Sequence, residues 1–512
     1  MQKIRNILSN KFLSFLLLPV FFAWKGKNQI FPEISFLYAS IVCLINMGFL
    51  ALIAGLIRSI LKTKTNQAFL LATTVSVPLL FFGPAHDFLK PLPIPRLLTS
   101  YTFLVPLLCS ILLIYLYKNK NKQLLRWSLY LNSLLIIFLI SEASKQIYLA
   151  FQQPETRLLD KRFEACREYT STKKNTPPEN LPDIYLLIFD EYASSPSLQQ
   201  TLGFNNASFE EELKSKGFNI FPKSGSNYNL TLVSMSSILN MDYPDLSGIS
   251  IKNQSEILYK ASRSLGDNAL FRILKENNYS ITQAHALQFP EKPEINASYF
   301  SAMLYQHYLY QTLFGRLFRD CGYNLFSIPV FEKWNIGYNR FKCEELNGYF
   351  HQTDRLLKKT CTSDSLARPQ FVYAHYTFPH EPHCINEEGK LRSMDSVSGK
   401  TLFNEGYLNQ IRFANRYIAN ITEYIQYNNR QNTIIIIAGD HGFKSHSDEN
   451  MPTHIFKNFF AIKDPLRKSE KWEQSISGVN IFRHILNDYM QANMSYLPGR
   501  TFRFTTEKLE SR

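Results

Sequence analysis

TIIIIAGDHGF, Thr433 to Phe443, is the stretch on which the fold turns. Its isoleucines are apolar on both faces of an extended chain, the pattern of a strand covered on each side in a parallel sheet. The run stops abruptly at Asp440, His441 and Gly442. Carboxyl ends of strands in open α/β sheets are where ligands bind, so an acid and an imidazole stand where chemistry is done. Two readings fit the tripeptide: a polar turn bent at Gly442, or half of a metal site. A second stretch of the same build, DIYLLIF at 183–189, also ends in acids, Asp190 and Glu191. Two strands of one sheet then aim carboxylates out of the same edge. PQFVYAHY, 369–376, reads as a third buried strand and ends at His375.

The chain has 512 residues, too many for one ordinary domain. Five segments rich in Leu, Ile and Phe lie at 12–24, 34–57, 67–84, 99–117 and 127–142. Each approaches the ~20 residues needed to cross a bilayer, and the first, although short, lacks a small-x-small cleavage site after Trp24. With Lys3, Arg5 and Lys11 on the cytoplasmic side, the second and fourth connections are cytoplasmic too. These carry Arg58, Lys62, Lys64, Lys118, Lys120, Lys122 and Arg126, against Lys25, Lys27, Lys90 and Arg96 on the opposite side. An odd number of spans sends everything after about residue 145 outside. A multi-pass protein of the bacterial inner membrane with an extracytoplasmic domain is therefore expected.

The formal charge is +14, and the membrane loops account for much of it, which argues against nucleic acid as a partner. Cys43 and Cys109 fall in spans. Cys166, Cys321, Cys343, Cys361 and Cys384 fall outside, enough for two bridges with one cysteine left over, in a connectivity that spacing does not reveal.

The expected organisation is a five-span domain over 1–145, a juxtamembrane linker over 146–182, a catalytic domain over 183–465, and a C-terminal helix and tail over 466–512 that pack on it. KKNTPPENLPD ends the linker. FEEELKSKGF reads as a helix closed by Gly217, NALFRILKENNYSI as helix then strand, and VNIFRHILNDYM as the last amphipathic helix. An aromatic-rich helical insertion occupies about 299–365; core packing is the favoured role, a lid or membrane-facing surface the other.

The remaining element is SNYNLTLVSMSSILNMDYP, 226–244. Asn, Tyr and Asn mark a loop, and TLVSMSSILN reads as a helix with Thr231 at its amino end. A hydroxyl there sits among unpaired backbone N–H groups at the positive end of the helix dipole, which favours an approaching anion. The plain alternative is that Thr231 only caps the helix. The sequon NLT at Asn229 is set aside. Together Asp190, Thr231, Asp440 and His441 form a four-ligand set for one divalent ion, zinc or manganese, with magnesium or calcium as alternatives. Such an ion would activate the Thr231 hydroxyl and neutralise a phosphoryl oxygen.

In order and spacing, IYLLIFDEYA, SNYNLTLVSMSSILNMDYP, FVYAHYTFPHEPH and IIIIAGDHG resemble the alkaline phosphatase/sulfatase superfamily. The likeness is to its membrane-anchored branch, which includes lipoteichoic acid synthases and phosphoethanolamine transferases. It implies an α/β fold: a five-helix N-terminal membrane anchor followed by an alkaline-phosphatase-like domain with a central, mostly parallel sheet. It also implies that Asp190 is the first-strand metal ligand, where the transferases commonly have Glu. Thr231 takes the place of the nucleophile that is covalently modified, and Asp440 with His441 that of the strand-end ligand pair. His375 and His380 repeat the family's five-residue histidine spacing, His380 binding the phosphoryl group or protonating the leaving oxygen. His375 and His454 are further substrate-binding candidates, Glu191 could assist Asp190, and His383 and His446 are expected on surface loops.

Nothing of the form C/S-x-P-x-R surrounds Thr231, so the formylglycine chemistry of sulfate-ester hydrolysis is disfavoured. The expected reaction moves a phosphoethanolamine or phosphoglycerol group from a phospholipid donor through Thr231 to an envelope glycan or lipid acceptor. The rivals are a phosphodiester or phosphomonoester hydrolase and a catalytically silent membrane-bound binding module. A transporter is weaker, since the spans carry few charges and show no inverted repeat.

Overall fold

A computed structural model describes residues 2–29, 34, 36–90, 92–93, 95–120, 124–152, 164–172, 180–244, 257, 261–262, 264–285, 287, 307–318, 338–362, 368–392, 400–428, 432–444, 453–504 and 509–511. The chain divides into two compact units, Met1–Pro154 with Ala302–Trp334, and Glu155–Ser301 with Asn335–Arg512.

In the first unit all five apolar segments are helical, as Leu13–Gln29, Phe36–Leu61, Thr65–Leu80 with Phe82–Leu89, Tyr101–Asn119 and Leu125–Gln152. The expected count of five spans is not met. Among the described residues three helices are long and apolar enough to cross a membrane, four if the pair Thr65–Leu80 and Phe82–Leu89, bent by 44°, is one span. Leu13–Gln29 has 17 residues, about 26 Å of helix, short of the ~30 Å hydrocarbon core.

Residues 307–318 of the aromatic insertion pack in this helical unit, although the sequence around them belongs to the expected catalytic domain. The Tyr308 hydroxyl donates to the Ala23 carbonyl at 2.7 Å, and Gly83 N donates to the Gln311 carbonyl at 2.8 Å. Arg316 grips Asp87 with both guanidinium ends, Nη1 to Oδ1 at 2.8 Å and Nη2 to Oδ2. The described part of the insertion thus has the packing role in two places: residues 307–318 pack on these helices, and helix Tyr338–Thr362 buries Cys343, Leu357 and Cys361 in the core of the second unit.

The second unit is built on a six-stranded sheet. Its strands are β1 (Asp183–Phe189), β2 (Asn219–Ile220), β3 (Ser280–Ala284), β4 (Gln370–Tyr376), β5 (Thr433–Gly439) and β6 (Phe460–Lys463), in the order β2-β6-β5-β1-β4-β3. β3, β4, β1 and β5 are parallel, and β6 runs antiparallel to both β5 and β2. β1 is buried at every position, as its two-faced apolar sequence requires. Phe189 pairs with Gly439 on one side and Tyr376 on the other, so β1, β4 and β5 end at one level.

Around the sheet, local signals behave as expected. The side chain of Asn268 caps helix Ala269–Glu276 by accepting from Phe271 N at 2.8 Å, and Gly217 ends Ala207–Ser215 at φ 87°. The linker region differs: Glu164–Thr172 is a helix with Ala165 and Tyr169, four residues apart, buried. Its Glu168 accepts from the buried Arg483 of helix Ile481–Met490 at 2.7 Å, and Arg483 Nε donates to the Met241 carbonyl at 2.9 Å. A disulfide joins Cys343, on helix Tyr338–Thr362, to Cys384 in the segment after β4. Cys166 and Cys361 are free thiols, and Cys321 lies outside the described residues.

Candidate functional site

The level ends of β1 and β5 put Asp190 and Asp440 side by side, and two close backbone approaches explain the glycines around them. A Cβ on Gly439 would lie 2.3 Å from the Tyr192 carbonyl oxygen, and one on Gly442 would lie 2.2 Å from that of His454. The glycines of AGDHG serve the bend, and the acid and the imidazole lie at the strand end beside Asp190.

Asp440 is fully buried. Its Oδ1 accepts from the backbone N–H of Glu191 at 2.8 Å and of His441 at 2.9 Å, while Oδ2 has no hydrogen-bond partner among the described residues. His441 Nδ1 faces the Gly442 carbonyl at 2.9 Å; a carbonyl only accepts, so Nδ1 carries the proton and the Nε2 lone pair faces inward. Burial lowers His441 to about 4, which leaves it neutral around physiological pH. Its Nε2 lies 3.4 Å from Asp440 Oδ2 and 3.9 Å from Asp190 Oδ1.

Thr231 opens helix Thr231–Asn240 as its first helical residue, and the preceding Leu230 is the cap position. Its hydroxyl is therefore not spent on capping. Oγ1 lies 3.4 Å from Asp190 Oδ1 and 3.5 Å from His441 Nε2. One turn on, Ser234 donates to the Asp440 carbonyl at 2.6 Å and ties the helix to the end of β5.

His375, a substrate-binding candidate, turns toward the acids. One ligand atom each from Asp190, His375 and Asp440 falls within 4.8 Å of the others. His375 Nε2 is buried without a hydrogen-bond partner among the described residues and lies 3.9 Å from Asp190 Oδ2, while Nδ1 meets the Tyr373 hydroxyl at 2.8 Å. Orphaned lone pairs on buried Asp440 and His375, beside Asp190, Thr231 and His441, fit the donor chemistry of a divalent cation.

Glu191 holds the loop together from a left-handed backbone conformation, φ 67°, which a residue with a Cβ adopts only when its surroundings impose it. Its carboxylate accepts from Lys444 N, and its carbonyl accepts from the Tyr407 hydroxyl at 2.8 Å. Burial raises its carboxyl to about 7, against the opposing pull of His380 and Lys444. His380 Nε2 is 3.7 Å from Glu191 Oε2. Burial works against the His380 cation, but Asp190 and Glu191 outweigh it and raise the imidazole. Burial likewise opposes the Asp190 charge, and His380, His375 and His441 outweigh it, holding the carboxyl well below the usual carboxylate range.

Asp190, Thr231, Asp440 and His441 thus come together with His375 and His380. His454 is buried, with Nδ1 3.0 Å from Ser197 Oγ. His383, expected on a surface loop, is buried too, its ring 4.6 Å from that of Phe403. Tyr376 and Phe378 of the neighbouring HYTFPH stretch are buried with it. His446 lies outside the described residues. Asn229 is no acceptor for modification, since both ends of its side chain engage the Phe504 backbone. Ser234 was legible as one helical turn from Thr231, whereas Tyr407, inside the long helix Lys400–Asn428, carried no local signal.

The family pattern described as Sulfatase matches residues 184–487. Similar solved structures include the C-terminal periplasmic domain of EcEptC from Escherichia coli, 11% identical with a TM-score of 0.40, covering 66% of this chain and 95% of that one. The integral membrane lipooligosaccharide phosphoethanolamine transferase A from Neisseria meningitidis is 11% identical with a TM-score of 0.38, covering 93% and 95%. The putative sulfatase yidJ from Bacteroides fragilis is 12% identical with a TM-score of 0.36, covering 63% and 77%. No curated protein matches the sequence.

Proposed function

Because the chain belongs to the sulfatase family, as an enzyme of the alkaline phosphatase/sulfatase superfamily, we propose that it transfers a phospholipid-derived phosphoethanolamine or phosphoglycerol group through Thr231 to an envelope glycan or lipid. The observation that carries this reading is the Thr231 hydroxyl, uncommitted to capping and within 3.5 Å of both Asp190 and His441. A threonine cannot become formylglycine, which supports phosphate rather than sulfate chemistry. The apolar helices support a substrate drawn from the bilayer, and an anchor raises the local concentration of such a donor.

Asp190, Thr231, Asp440 and His441, with His375 beside them, would hold the divalent ion, whose chemistry is to polarise the phosphoryl group and favour the Thr231 alkoxide. Thr231 Oγ1 gives up its proton to solvent and bonds to phosphorus, and the bond from phosphorus to the diacylglycerol oxygen breaks. His380, held protonated by its acidic neighbours, gives its proton to that oxygen. An acceptor hydroxyl then bonds to phosphorus, giving its proton to the now neutral His380, and Thr231 leaves with its oxygen reprotonated from solvent. The helix N-terminus at Thr231 favours the anionic group in both steps. The catalytic unit is placed outside the cytoplasm by this reading, in keeping with the Cys343–Cys384 disulfide.

Peptide mass spectrometry after incubation of the full chain with mixed phospholipid vesicles tests the reading. A phosphoethanolamine or phosphoglycerol adduct is expected on Thr231, absent in Thr231→Ala and after chelation. An unmodified Thr231 in metal-loaded protein that releases no diacylglycerol refutes it, and release of free phosphate from soluble esters would favour a hydrolase.

A further inference from the structure

Away from the site, the second unit has a cleft of about 920 Å³ that the reaction leaves unexplained. One wall is an aromatic ladder. The indole of Trp472 lies 4.6 Å from the His484 ring, which stacks at 4.2 Å on Tyr496, and Tyr496 is 52% exposed. Trp472 Nε1 donates to Asp488 Oδ2 at 2.7 Å, which holds the indole in place and occupies the cleft's more enclosed carboxylate. The rim carries exposed Lys223, Lys471 and Arg500 against the single exposed acid Glu473. Backbone and side-chain amides brace the floor: Asn480 exchanges two hydrogen bonds with Leu497, at 2.8 and 2.9 Å.

The lining also includes Ser226 and Asn227, from the loop that leads into Thr231. Asn227 knits that loop to the cleft, donating to Ser477 Oγ and the Arg500 carbonyl, each at 2.7 Å, and accepting from Val479 N at 2.9 Å. Thr231 follows Asn227 by four positions, so their Cα atoms are no more than about 15 Å apart. A rigid aromatic face suits the apolar face of a sugar ring, and surrounding cations suit an anionic substituent. The cations on the rim do not suit an uncharged diacyl chain.

We propose that this cleft binds an anionic saccharide, a sugar bearing phosphate or carboxylate groups, and presents one of its hydroxyls toward Thr231. It is the acceptor subsite, an assignment that rests on the transferase reading above. Tyr496 is the stacking platform, and Lys471 and Arg500 read the charge.

Binding is measured by calorimetry on full-length Thr231→Ala in neutral-lipid nanodiscs, so that no turnover is needed. The probes are a phosphorylated trisaccharide, its dephosphorylated form and inorganic phosphate. The phosphorylated trisaccharide is expected to bind saturably, with Tyr496→Ala and the double variant Lys471→Gln/Arg500→Gln each weakening it by about tenfold. The neutral sugar is expected to bind weakly and phosphate alone not at all. These three side chains are exposed, so the variants keep the fold. Unchanged affinity in either variant, phosphate binding as well as the saccharide, or competition by anionic lipid added to the nanodiscs overturns the proposal. Failure of the Thr231 adduct sinks the transferase reading and leaves this binding measurable, whereas loss of binding with the adduct intact sinks the cleft alone.

Discussion

Asn229 stands two residues before Thr231, is 7% exposed, and uses its whole amide on one neighbour. Nδ2 donates to the Phe504 carbonyl at 3.1 Å, and Oδ1 accepts from Phe504 N at 2.8 Å. Phe502 N donates to the Asn227 carbonyl at 2.8 Å, so the segment 500–504 lies along the loop before Thr231 and braces it. Asn229→Ala removes both bonds and leaves the Phe504 N–H and C=O without partners in a buried setting. At ~1–2 kcal/mol for each stranded group, local opening of this segment becomes easier by about 2–4 kcal/mol. With about 1.4 kcal/mol per factor of ten, amide exchange at Phe504 should quicken from roughly 30-fold to several hundred-fold. Hydrogen exchange on the full chain reads this directly, and Phe502, bonded to backbone, should change less. Asn229→Asp keeps the acceptor for Phe504 N but faces the Phe504 carbonyl with a carboxylate, so its effect should lie between wild type and Ala. Exchange at Phe504 within about twofold of wild type in Asn229→Ala would refute the bracing role.

Asp440→Asn keeps an acceptor for the two backbone N–H groups but removes the charge and the orphaned Oδ2. Metal affinity should fall by at least roughly tenfold in equilibrium dialysis while the metal-free melting temperature holds; full metal retention would remove Asp440 from the ligand set. Cys343→Ser with Cys384→Ser frees a loop with a sequence separation of 41 and should lower unfolding stability by up to about 4 kcal/mol, read by denaturant titration of the catalytic unit's signal. Asp87→Asn leaves the mostly buried Arg316 guanidinium without its carboxylate, and because Asp87 is half exposed the loss should be about 1–2 kcal/mol in thermal unfolding. Arg316→Met with Asp87→Leu should recover part of that loss, and no recovery would argue that the pair's charge, not its packing, holds residues 307–318.

Strands β1, β4 and β5, the helix starting at Thr231 and the acids at the strand ends were legible in the sequence, because each follows from the chemistry of a few consecutive residues. An apolar run without alternation states its own burial, and a Thr after a polar loop states a helix start. The span count was less legible. Helix formation is local, but whether Leu13–Gln29 and the pair bent by 44° cross a bilayer depends on length and packing that composition only approximates. Residues 307–318 looked like part of an α/β domain for the same reason: their aromatic sequence states that they pack, and only tertiary contacts such as Arg316 with Asp87 state against what.

The sequence by itself determined which side chains stand at the strand ends and the helix start, and Asp190, Thr231, Asp440 and His441 do come together there. Tertiary structure alone decided which neighbours surround them. It turned His375 toward the acids through Tyr373, set Glu191 as the brace of the loop, and used Asn229 as a clamp. Side chains 185 residues apart in sequence, as Asp190 and His375 are, meet because parallel strands end at one level. That meeting is a property of the sheet's register, and no local stretch of sequence contains it.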